Sequence, residues 1–159
     1  MATIFMLDGF EHGRAGTGAS GVVDTVNGSP AIVTSPVRTG SRSLEISAAA
    51  ATENYQYTVA AGNRRVTQSV YIRFATLPTA DVRLVKFNNA TAAGHVTFVD
   101  ATDQFGVAIA AGTVVAGGPT IVTDTWYRVD VEFDSSGATY SIKAQIDGGT
   151  EFSTTAADA

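Results

Sequence analysis

The sequence predicts an all-β protein built as a two-sheet antiparallel sandwich, and three observations carry that reading. Apolar and polar residues alternate along several stretches instead of recurring at helical spacing. Residues tolerant of positive φ stand between those stretches. The composition, with 16 glycines against 4 prolines, suits short strands joined by tight turns.

Alternation is clearest at three places. Within 66–74, Val70, Ile72 and Phe74 fall on one face while Ser69, Tyr71 and Arg73 fall on the other, as in a half-buried strand. Tyr127, Val129, Val131 and Phe133 repeat the pattern against Arg128, Asp130 and Glu132. Tyr140, Ile142, Ala144 and Ile146 repeat it against Ser141, Lys143 and Gln145. Shorter candidates are Ile4–Leu7, Val22–Val26, Leu44–Ile46, Tyr55–Val59, Val82–Phe87, Val96–Val99 and Phe105–Ile109. A dozen or so strands, spaced by about 8–12 residues, argue for a sandwich or barrel.

Turn chemistry agrees. Asn27-Gly28, Ala93-Gly94, Ala111-Gly112, Ser136-Gly137 and Asp147-Gly148-Gly149 each lie between strand candidates. Arg64-Arg65, beside Gly62-Asn63, reads as a solvated turn. The run Ala48 to Ala51 is too short to nucleate a helix, so no helix beyond two turns is expected and strands are expected to pair antiparallel throughout. The strands at 126–133 and 140–146 form a hairpin. Matching their faces sets Val131 opposite either Tyr140 or Ile142. The second register puts Asp130 rather than Arg128 near Lys143, and cross-strand charge pairs worth roughly 0.2–1 kcal/mol favour it.

At 159 residues the chain reads as one domain, 1–159, long enough to bury about 70% of its unfolded surface. It has no cysteine, which excludes disulfides and thiolate chemistry. Its start lacks the basic region and apolar core of a signal peptide, and no apolar run reaches the roughly 20 residues of a membrane span. The net charge of −5 sits in the second half, where residues 81–159 carry four basic residues against ten acids. Such a surface repels phosphate backbones, so neither nucleic acid nor membrane is an expected partner.

Four segments, in order along the chain, resemble the concanavalin A-like (laminin G-like) jelly-roll superfamily in the divergent form found in bacteriophage structural proteins. They are Leu7-Asp8-Gly9-Phe10-Glu11, the turn and strand from Ser35 to Leu44, the strand Val70–Phe74 closing on Pro78, and Thr125-Trp126 through Phe133 followed by Ile146-Asp147-Gly148. The resemblance implies a jelly-roll sandwich that lacks the family's last strands. It also implies a non-enzymatic part of a virus particle: a capsid decoration, head-fibre or tail protein. Such a protein is made in the host cytoplasm and contacts capsid or tail proteins as a homo-oligomer or within a lattice. The alternative is a carbohydrate-binding, lectin-like module of an adhesin or receptor-binding protein.

Candidate sites follow. Asp130, Glu132 and Asp134 alternate on one strand, but they depart from the glu-x-asp-x-x-glu pattern of the superfamily's glycosidases. A solubilising strand face is the commoner meaning, and no catalytic residue is assigned. Asp8 and Glu11, with Asp24 or Asp147, are the hard oxygen donors for the calcium that some relatives bind. Tyr55, Tyr57 and Tyr71 are the candidate sugar-stacking aromatics, whereas Tyr127 and Tyr140 are in phase with the core. His12 and His95 lack a metal-ligand partner and read as exposed turn residues. Ile4, Phe5, Met6 and Leu7 form an uncharged apolar strand, expected to be an edge that a neighbouring chain covers, the alternative being that Phe152–Thr155 folds back over it within the chain.

Overall fold

The computed structural model describes residues 2–7, 25–26, 31–41, 43–48, 55–58, 65–88, 93–110 and 112–157. Thirteen strands run through these residues: Ala2–Leu7 (β1), Thr25–Val26 (β2), Ala31–Val33 (β3), Ser43–Ala48 (β4), Tyr55–Thr58 (β5), Arg65–Thr76 (β6), Val82–Asn88 (β7), Ala93–Val99 (β8), Gln104–Ile109 (β9), Val115–Thr120 (β10), Trp126–Asp134 (β11), Thr139–Ile146 (β12) and Phe152–Ala157 (β13). No helix occurs among the described residues. Seven strands form one sheet in the order β13-β12-β11-β6-β1-β4-β3, and six form a second in the order β10-β9-β8-β7-β5-β2.

The period-two alternation read from the sequence is what seals the two sheets together. Val70, Ile72 and Phe74 of β6, Val129, Val131 and Phe133 of β11, and Ile142, Ala144 and Ile146 of β12 all point inward and are buried. They meet Val85 and Phe87 of β7, Val96 and Phe98 of β8, and Phe105, Val107 and Ile109 of β9 in one core. Rings from the two sheets interleave. Phe87 stacks on Phe133 at 6.0 Å, Phe105 meets Tyr127 edge-on at 5.5 Å, and Phe74 lies 5.5 Å from Phe98. Each buried phenylalanine contributes roughly 1.5–3 kcal/mol from area alone.

Several expectations need correction. The pair β5–β7 is parallel, setting Tyr55 beside Val85 and Tyr57 beside Phe87, so antiparallel pairing is not universal. The expected edge at Ile4, Phe5, Met6 and Leu7 is an interior strand. β1 pairs with β4 on one side and β6 on the other, so its backbone groups find partners within the chain. Ala93-Gly94 opens β8 rather than making a turn. A Cβ on Gly94 would stand 2.5 Å from Cδ2 of Phe133, so this glycine permits close approach of the two sheets. The Asp147-Gly148 turn is as read, with φ of 51° and 74°. Asn27-Gly28 and His12 lie outside the described residues.

The β11–β12 hairpin adopts neither expected register. Val131 faces Ala144 and Phe133 faces Ile142, which keeps the inward faces matched but moves the pairing two residues along. This register sets Glu132 opposite Lys143 and leaves Ser135–Ala138 to turn the corner. It also lets the Arg128 N–H donate to the Asp147 side chain at 2.8 Å while the Asp147 N–H donates back to the Arg128 carbonyl at 2.9 Å. An acid therefore opposes Lys143, as charge pairing requires, but a different acid from the one the sequence suggested.

His95 is not an exposed turn residue either. It lies on the face of β8 that points away from the core, in register with Lys86 and Ala108, and is 4% exposed. Among the described residues its Nδ1 has no hydrogen-bond partner, and neither has Oγ1 of Thr97 two residues on. Burial, with the charges of Arg83 and Lys86 adding to it, pushes the imidazole down to about 4.

Candidate functional site

The chain's concentration of ordered charge lies on the outer face of the seven-stranded sheet. Because side chains alternate, every residue between the inward-facing ones of β6, β11 and β12 points to this face. Register then aligns them in rows: Ser69, Asp130 and Gln145 in one, and Thr67, Glu132 and Lys143 in the next. With Glu151 these six line a shallow groove of about 290 Å³.

The three carboxylates of β11 are all engaged. Asp130 accepts from the Ser69 hydroxyl and from Nε of Arg128 at 3.0 Å. Glu132 lies between two cations, 3.5 Å from Nε of Arg65 and 3.4 Å from Nζ of Lys143. Asp134 takes Nη2 of Arg65 at 2.9 Å and the Ser136 N–H at 2.8 Å. Hydrogen bonds from Ser136, with Arg65 adding to them, hold the Asp134 carboxyl down at about 2. Lys143 reaches Glu151 as well, at 3.4 Å, and the two acids raise its ammonium above the usual lysine range. Arg65, expected in a turn, instead opens β6 and clamps this end of the ladder. Exposed pairs of this kind contribute little each, typically under about 1 kcal/mol, so the network organises a surface more than it holds the fold.

Aromatic groups flank the ladder. Tyr71 lies on the same outer face, half-buried, with the Arg38 guanidinium 3.8 Å above its ring centre. One face of the ring is therefore occupied by a cation. Trp126, half-buried, stands opposite Arg73, which pairs with Asp124. Tyr127 and Tyr140 are buried in the core, in keeping with their phase. The side chains of Tyr55 and Tyr57 fall outside the described residues, and their register aligns them with core positions of β7 rather than with Tyr71.

Asp8 and Glu11, the expected calcium ligands, lie outside the described residues, as does Asp24. Asp147 spends its side chain on the Arg128 N–H. Among the described residues no three His, Asp or Glu side chains gather as a metal-ion site. The structure thus unites Asp130, Glu132 and Asp134 with Arg128 and Lys143, which the sequence already placed on or beside this face, and with Arg65, which it did not. Only the register reveals those partners, because Arg65 and Asp134 are far apart in the chain. No family model, curated protein or solved structure matches the chain.

Proposed function

We propose that this chain is a non-enzymatic structural component of a virus particle, a capsid decoration, head-fibre or tail protein of concanavalin A-like jelly-roll form that acts through protein–protein contacts. The observation that carries the non-catalytic half is the state of the β11 acids. A glycosidase needs one carboxyl whose pKa is raised so that it can donate a proton, beside a second that is free to attack or to activate water. Here every candidate is held by a cation or a hydroxyl, and Asp134 moves in the opposite direction. The particle half rests on the four sequence segments that resemble phage structural domains, together with the all-β fold. Replacing Glu132 with Gln should leave the fold intact, change stability by less than about 1 kcal/mol, and alter no turnover of β-glucans. Glu132-dependent hydrolysis would overturn the non-catalytic reading. Electron microscopy of the native particle tests the rest, with ordered density for this domain expected.

A second reading, carbohydrate binding, is favoured by the groove itself. Its lining of hydroxyl, amide and carboxylate groups beside Tyr71 suits hydroxyl-rich ligands. A glycan array run with and without calcium tests it. Binding weakened by Ser69→Ala and Gln145→Ala would assign the groove to a sugar, and an array blank under both conditions would remove this reading.

A further inference from the structure

We infer that β13 is the surface through which two copies of this chain associate, edge to edge, extending the seven-stranded sheet of one copy into that of the other. A sheet edge offers unpaired N–H and C=O groups to any strand that can reach it, and proteins usually blunt such edges by shortness, charge, proline or a bulge. Among the described residues, three of the four edges are blunted. β2 and β3 have two and three residues. β10 contains Pro119, and its pairing with β9 breaks register between Ala116 and Thr120. β13 is the exception: six residues in unbroken register with β12, with no charge, proline or glycine. Among the described residues its only strand partner is β12, and Ser153, Thr155 and Ala157 are exposed.

The occupant that fits is a second copy. An antiparallel pair about a two-fold axis through Thr154 or Thr155 keeps inward and outward faces matched; the first sets hydroxyl side chains against hydroxyl side chains, and the second pairs Thr155 with itself and Ser153 and Thr154 with alanines. In either register no acid meets an acid: by sequence Glu151, already held by Lys143, falls opposite an alanine, and Asp158 falls opposite Thr150 or Phe152. The neighbouring edge reinforces the contact. β10 packs against β13, so both strands lie on one side of the sandwich, and β10 is likewise uncharged. Val115, one of the exposed large apolar side chains, stands on it at 37% exposure. Two six-residue edges without a charge form this side of a protein carrying 10 basic and 15 acidic residues. The inference does not depend on the particle reading, and its test uses the purified chain alone.

Sedimentation over about a hundredfold range of concentration should show a monomer–dimer equilibrium. Amide hydrogen exchange should show protection of 152–157 that rises with concentration. Thr155→Lys places like charges across the two-fold axis, outside the core, and should weaken the dimer at least about tenfold. Circular dichroism and thermal melting of that variant, matched to the parent, show that it has folded. A second variant, Ser153→Lys, should act in the same direction should the first fail to fold. A protein monomeric across the range, a dimer indifferent to both substitutions, or β13 amides whose exchange ignores concentration would each overturn the inference. So would protection of β13 by a different chain segment or by an added heterologous partner in place of a second copy.

Discussion

Phe133→Ala should lower the free energy of unfolding by about 3–5 kcal/mol, the range for truncating a fully buried phenylalanine. The ring is 0% exposed, stacks on Phe87 across the sheet interface, and lies 6.4 Å from Tyr140. Its removal takes away transfer free energy and leaves a cavity that the two sheets cannot close without shifting. Chemical denaturation, read at unchanged slope, measures the loss. Gly94 supplies an internal control. Gly94→Ala alone forces a methyl group against the Phe133 ring and should cost about 1–3 kcal/mol by overpacking. In the Phe133→Ala background that clash is gone, so the double variant should be markedly more stable than the sum of the singles implies. Simple additivity would show that the two positions are not in contact.

Acidification should destabilise the protein between pH 6.5 and about 4 through His95. The unfolded chain binds a proton at the ordinary histidine pKa of 6.5, whereas the folded one resists until about 4. Over that window the unfolded state carries more protons, so stability falls as pH falls and levels off below it. The contribution present above pH 6.5 and lost by pH 4 is roughly 3 kcal/mol. Asp134 acts lower still, between 3.8 and about 2, so the two steps separate. Denaturation curves at half-unit pH intervals, compared with His95→Gln, isolate the histidine step. Parallel curves for parent and variant from pH 7 to 4 would refute it.

What was legible in the sequence follows from burial on one face only. β6, β11 and β12 have a core side and a wet side, so their alternation is visible and their inward residues were named correctly. β8 is buried on both faces over Gly94–Phe98, so its polar residues His95 and Thr97 read as a wet face although they are covered. β10 is missing from the strand candidates because its Gly117-Gly118-Pro119 violates strand propensity. A Cβ on Gly117 would stand 2.4 Å from that of Phe152, so packing between strands decides the residue there. β13, a run of Ser, Thr and Ala after one phenylalanine, has too little apolar contrast to announce itself. The site is harder still. Which acid faces Lys143 depends on a two-residue choice of register, and that choice was set by the turn and by Asp147, not by the side-chain pair weighed in advance.

The position of β1 in the middle of its sheet has a kinetic side. The ladders β7–β8–β9–β10 and β11–β12–β13 join neighbours in the chain through short connections, so each closes cheaply. Pairing β6 with β11 spans the whole of the second sheet's meander; β1 meets β6 from a comparable distance along the chain and β4 from a shorter one, and neither is a neighbour joined by a short turn. Each doubling of a closing loop adds about 0.6 kcal/mol of entropy, and topologies dominated by such distant pairs cross their barrier in about milliseconds to seconds. The local hairpins of the C-terminal meanders are therefore expected to form first, with β1 joining β4 and β6 later. Pulse-labelled exchange during refolding should accordingly protect the amides of β8, β9 and β12 before those of β1, and the reverse order would show that the N-terminal strand nucleates the sheet.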